Sequence, residues 1–182
     1  MHVVATIVVV TWVAFWIYWL ASAAGVKSGR HRWGRVAPIR VGIVLVVLLL
    51  VRTHAFKGQT TAHDAWLEAA GLVLFATGLA VAVWARRCLG RNWGTPMTEK
   101  VDPELVTAGP YRRVRHPIYS AIILAMLGTA VAVDWYWLIA VGLAGGYFGY
   151  SAVMEEHFMA ERFPEAYPAY KRSTKMLIPF LL

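Results

Sequence analysis

Residues 118–153 read IYSAIILAMLGTAVAVDWYWLIAVGLAGGYFGYSAV, and Asp134 is the one charged residue among them. Two apolar runs, Ile118–Val133 and Trp135–Val153, flank that aspartate. A short polar tip between two such runs predicts a tight helical hairpin. At about 1.5 Å per residue each arm is short for an independent crossing of a ~30 Å hydrocarbon core. The pair therefore reads as a tilted or partly re-entrant hairpin that brings residues near Ile118 and Val153 to the same end.

Working outward, further apolar runs cover residues 2–25, 36–51 and 65–85. The first has no basic residue before it and is longer than the apolar part of a secretion signal, so it is expected to be a retained anchor. Trp12, Trp16, Trp19, Trp66, Trp84, Trp135 and Trp137 fall near span ends or along tilted faces, as expected of interfacial aromatics. The expected fold is an all-α integral membrane protein of about five transmembrane helices, with a helical hairpin and a pocket on the cytoplasmic side. Residues 1–88 form the N-terminal transmembrane part and residues 89–182 a core that carries the chemistry.

With five spans, sixteen of the eighteen Lys and Arg residues fall on one side, which makes that side cytoplasmic. The 182-residue chain is 59% hydrophobic and 15% charged, and a soluble domain of this size could not bury so much apolar surface. The net charge of +8 is distributed between apolar runs. It is read as topology and attraction to anionic lipid headgroups rather than as a nucleic-acid surface. The single cysteine, Cys88, rules out an internal disulfide and any site built from several thiolates.

Two basic-side segments carry unusual chemistry. Leu105–Tyr119 contains two prolines, a glycine, two tyrosines, a histidine and three arginines directly before a span. Gly109-Pro110 marks a turn, and Pro117 suits the first turn of a helix. Glu155-Glu156 follows the second arm of the hairpin, on a helix that ends there or continues to Phe163 before Pro164. The hairpin places this acidic pair beside Arg115–Tyr119. Carboxylates, tyrosine faces and a cation together suit a cationic, adenine-bearing cofactor. Carboxylates accept from ribose hydroxyls, rings hold a sulfonium by cation–π attraction, and Arg or His holds a carboxylate. Simpler roles compete: a headgroup-gripping cluster for Arg112 and Arg113, pairing with Arg162 or Arg115 for the glutamates, and capping for His116. No metal site is expected, because His116 has no ligand partner at suitable spacing. His31, His54 and His63 are scattered.

Gly109-Pro-Tyr-Arg-Arg-Val-Arg-His-Pro-Ile-Tyr119 resembles the Gly-x-Tyr-x-x-x-Arg-His-Pro-x-Tyr motif of isoprenylcysteine carboxyl methyltransferases, which are related to phospholipid methyltransferases. Glu155-Glu156 with Phe163-Pro-Glu-Ala-Tyr-Pro-Ala-Tyr170 and Ile178-Pro179 is similar to that family's C-terminal ending. Leu89-Gly-Arg-Asn-Trp-Gly94 is similar to a segment of bacterial members. The resemblance implies a multi-pass protein of the bacterial inner membrane, with its active site facing the cytoplasm. It implies S-adenosylmethionine as cofactor, bound without a Gly-x-Gly-x-x-Gly turn, and none is present. It assigns Glu104, Leu105, Val106, Tyr111, His116, Pro117, Tyr119, Glu155 and Glu156 to the cofactor pocket. Arg115 braces that pocket or meets the methionine carboxylate.

By the same resemblance the reaction is an in-line displacement on the sulfonium methyl, with a lipophilic or prenylated acceptor entering sideways from the membrane lipids. A carboxylate acceptor needs no general base, whereas an amine must first lose a proton. No catalytic residue is assigned. Tyr147, Tyr150 and Asn92 are candidates for the acceptor pocket. Gly149–Met154 carries no arginine, although relatives acting on prenylcysteine place one there. Carboxyl methylation of isoprenylcysteine type is the leading expectation. Methylation of a phospholipid or small amine is the alternative, and a non-catalytic membrane scaffold or small transporter is the alternative of another class.

Overall fold

The computed structural model describes residues 3–22, 29–31, 42, 45, 64–94, 98–100 and 103–178; for 29–31 and 98–100 it describes the backbone alone. The described residues form five α-helices, with the small additions of two 3-10 turns and a two-stranded antiparallel ribbon. The helices are α1 (Val3–Ala21), α2 (Ala65–Leu89), α3 (Pro117–Ala132), α4 (Trp137–Arg162) and α5 (Ala166–Ser173). Three of them, α1, α2 with its following turn, and α4, are long and apolar enough to cross a membrane. The expected span over residues 36–51 lies outside the described residues.

The hairpin is present as α3 and α4. Asp134 Oδ1 accepts a 2.8 Å bond from the Tyr136 N–H, and its carbonyl accepts from the Trp137 N–H at 3.1 Å. One aspartate thus satisfies donors at the start of α4. α4 does not stop near Val153. It continues through the acidic pair to Arg162, with Pro164 just beyond. Glu155 and Glu156 therefore sit within a helix, where the turns before them fix their directions.

Small residues weld α2 to α3. A Cβ added at Gly128 would strike the backbone of Phe75, one at Gly78 the backbone of Ala125, and one at Gly71 that of Ala132. The partner numbers fall as the glycine numbers rise, so the helices run antiparallel. Close backbone approach through Gly and Ala is how membrane helices gain packing where lipid supplies no hydrophobic drive.

α1 packs on this pair through aromatics. The Trp12 indole N–H donates to Thr129 Oγ1 at 3.1 Å, and Phe15 and Trp19 are buried. Trp12 and Trp19 are thus packing residues, in contrast to the interfacial belt expected of them. Trp66, Trp84 and Trp135 are exposed, as a belt requires. The C-terminal ends of α1, α2 and α4 and the N-terminal end of α3 converge at one end of the described residues, around a cavity.

Candidate functional site

Gly109, at φ +60, starts the 3-10 turn Gly109–Arg112 that buries Tyr111 against the helices. The chain then passes into α3 with Pro117 at its first position and His116 as the cap. The C-terminal segment straps this entrance. Arg115 N–H donates to the Lys175 carbonyl at 2.8 Å, His116 N–H to that of Met176 at 3.1 Å, and Ser120 Oγ to that of Leu177 at 2.5 Å. Tyr170 Oη donates to the Tyr111 carbonyl at 2.8 Å. Burial raises the Tyr170 phenol to about 12, so it remains a donor at neutral pH.

The two glutamates have different duties. Glu156 is buried and takes Arg115 Nε at 2.6 Å and Lys171 Nζ at 2.7 Å. The Arg115 guanidinium also donates through Nη1 to the Thr174 carbonyl at 2.5 Å and the Lys171 carbonyl at 3.1 Å. This group is structural: it ties α3, α4 and the C-terminal strap together behind the cavity. Glu155 faces the cavity. It accepts from Tyr119 Oη at 2.5 Å and lies 3.4 Å from His116 Nδ1.

The His116 and Tyr119 rings stack at 5.5 Å and 3°, and Tyr119 stacks on Phe148 at 4.7 Å and 13°. His116 Nε2 is buried without a hydrogen-bond partner among the described residues, 3.7 Å from Glu156 Oε1. Burial lowers the basicity of His116, but the carboxylates of Glu155 and Glu156 raise it by more, and the net shift is upward.

The cavity has a volume of about 690 Å³. Asn92, Glu104, Leu105, Val106, Tyr111, Arg115, His116, Tyr119 and Glu155 line it. Pro117 and Glu156 are buried but are not on the lining. Asn92 and Glu104 clamp each other: Asn92 Nδ2 donates to Glu104 Oε2 at 3.2 Å and the Glu104 N–H donates to Asn92 Oδ1 at 3.3 Å. Tyr147 and Tyr150 are not part of the lining. Tyr147 rests against Phe148, and Tyr150 is half exposed on the outer surface.

Sequence reasoning missed a whole wall. Trp16, Trp19 and Leu20 of α1 face the cavity together with Trp93. Their i, i+3, i+4 spacing was visible, but nothing local indicated what they face. Phe158, Met159 and Arg162 also line it, at three, four and seven residues after Glu155 on the continued α4. Arg86 holds this wall from behind. Its guanidinium caps the end of α1 by donating to the Ser22 carbonyl, donates to the Gly90 carbonyl at 2.9 Å and lies 4.5 Å over the Trp93 ring. Trp93 meets Trp19 edge to face at 5.7 Å.

A family model described as phospholipid methyltransferase matches residues 66–166, more than half of the chain. The chain is also 30% identical over 145 residues to the nickel-cobalt-cadmium resistance protein NccN of Alcaligenes xylosoxydans xylosoxydans, covering 78% of this chain and 65% of that one. It is 30% identical over 145 residues to the cobalt-zinc-cadmium resistance protein CzcN of Cupriavidus metallidurans, covering 78% and 64%. It thus spans just under two thirds of the length of both. The Bacillus subtilis protein YpbQ is 37% identical over 62 residues, covering 34% of this chain and 36% of that one.

Proposed function

The chain belongs to the phospholipid methyltransferase family, and from that premise we propose that it is a membrane methyltransferase that uses S-adenosylmethionine and acts on a lipophilic acceptor. Members of the family generally use that cofactor. The observation that carries the reading is the make-up of the cavity. A carboxylate, a phenol and an imidazole converge beneath stacked rings at one side, and an aromatic wall from α1 closes the other.

The residues present fit the cofactor. The aromatic rings on the lining suit a sulfonium, and the oxygens of Glu155 and Glu104 suit ribose hydroxyls and an ammonium. His116 Nε2, buried and without a hydrogen-bond partner among the described residues, is a further polar group at the site. When bound, S-adenosylmethionine supplies an electrophilic methyl group on sulfur. The protein's part is orientation and exclusion of water: Glu155 is held by Tyr119 and His116, and Trp16, Trp19, Leu20 and Ile122 keep the acceptor side apolar.

The acceptor reaches the cavity from the bilayer, past α1, at the cytoplasmic face. Two acceptor chemistries compete. Glu104 and Glu155 on the lining, and the lack of arginine in Gly149–Met154, favour an amine of a phospholipid or small lipophile over an anion. Glu155 is then in place to take the proton that the amine must lose. The resemblance of the Arg-His-Pro-Ile-Tyr segment favours carboxyl methylation of the isoprenylcysteine type. Labelled S-adenosylmethionine offered with phosphatidylethanolamine vesicles and with a farnesylcysteine derivative separates them. Label in the headgroup supports the amine, label in the cysteine ester supports the carboxylate, and label in neither removes both. A role in metal tolerance, as the names of the two resistance proteins imply for them, would run through the methylated product. An allele with Glu155→Gln that restores tolerance fully would exclude that link.

A further inference from the structure

The cavity is lined by two guanidinium groups, and only one of them is spent. Arg115 is committed to Glu156, to the carbonyls of Thr174 and Lys171 and so to the strap behind the wall. His116 is held between Glu155 and Glu156. Arg162 lies on the lining at the solvent-facing rim, and among the described residues no carboxylate pairs with it. It closes a face of α4 that begins at Glu155 and continues through Phe158 and Met159.

Seven residues separate Glu155 from Arg162, about 10 Å along a helix. Seven residues is close to two turns, so the two side chains share one face of α4, and both are on the lining. A carboxylate deep in the cavity and a guanidinium at its rim form a polar axis. That arrangement suits a ligand that enters from the aqueous side carrying a sulfonium or ammonium and, a few bonds away, a carboxylate. The amino-acid end of S-adenosylmethionine has that form.

We propose that Arg162 is the anchor for the terminal carboxylate of the cofactor, while Arg115 holds the fold of the site and does not touch the ligand. The proposal rests on the methyltransferase reading above. A cation in the last turn of a helix also complements the helix dipole, a role that involves no ligand. The two roles differ in what the ligand must carry.

The test is calorimetric titration of the full-length protein in detergent with S-adenosylhomocysteine and with 5′-methylthioadenosine, which keeps the nucleoside and thioether but lacks the amino-acid carboxylate. Wild type binds S-adenosylhomocysteine more tightly. R162Q loses about tenfold in affinity for S-adenosylhomocysteine, the scale of a charge-assisted hydrogen bond, and retains wild-type affinity for methylthioadenosine. R162K recovers part of the loss. Because methylthioadenosine binding reports an intact cavity, a misfolded variant is recognised by losing both ligands where R162K keeps both. R162Q that binds both ligands like wild type, or an Arg162 pair of variants that lose both equally, overturns the proposal and leaves the methyltransferase reading standing. Wild-type protein that binds neither ligand overturns both.

Discussion

Tyr119 donates a 2.5 Å hydrogen bond to Glu155 across 36 residues of sequence. The hairpin accounts for this contact: α3 starts and α4 passes at the same level, so two motifs far apart in the chain share one site. Loss of either partner leaves the other in the cavity without its bond. Tyr119→Phe removes one hydrogen bond to a charged group, worth about 1.5–3 kcal/mol, and with it one of the holds on Glu155. The expected result is a clear loss of S-adenosylhomocysteine affinity with retained helical circular dichroism.

Arg115 and Glu156 make the opposite case, since they are structural. Their side chains are 9% and 7% exposed, and their pairing at 2.6 Å joins α3 to α4 and the strap. Removing one partner of a buried pair costs about 3–5 kcal/mol, because the other charge stays buried. Glu156→Gln and Arg115→Met are therefore expected to lower thermal stability severely. In a double-mutant cycle the pair should cost much less than the sum of the single changes. Additive losses would mean that the two charges do not depend on each other.

His116 sets the pH dependence. Its folded-state basicity is raised, so it holds a proton that the unfolded chain releases near its ordinary pKa of about 6.5. The stability it contributes is fully present below that pH and is lost as pH rises through the raised value. The melting-temperature difference between wild type and His116→Gln should accordingly be largest below about pH 6.5 and shrink as the pH rises above it. A difference that grows with pH would show a neutral imidazole at the site.

Gly128 sits where α2 and α3 touch backbone to backbone. Gly128→Val forces the helices apart, at a cost of at least the roughly 1–3 kcal/mol of an overpacked core. Reduced yield of folded protein is expected, while Gly142→Val, where nothing lies within 4 Å of an added Cβ, should be tolerated.

Much of this was legible because it was local. Asp134 between two apolar runs marked the hairpin. The hairpin in turn placed Glu155 beside Tyr119. What was not legible depends on contacts between distant segments. Glu156 looked equivalent to Glu155 until Arg115 and Lys171 were seen to occupy it. Trp19 had the composition of a lipid-facing belt, yet it turns inward because Trp93 and the Arg86 cap hold the end of α1. Arg162 was legible only as a partner for the glutamates, because its place on the cavity lining depends on how the continued α4 packs against the other elements.

The central claim is that the cavity beneath the Tyr119–Phe148 stack binds S-adenosylmethionine. Equilibrium binding of S-adenosylhomocysteine to the purified protein in detergent tests it most directly, with Tyr119→Ala and Glu155→Ala as the comparison. Saturable binding by wild type that falls at least tenfold in both variants is the predicted result. Undiminished binding in both variants would contradict the assignment of the cavity, and no binding by wild type would contradict the proposed activity itself.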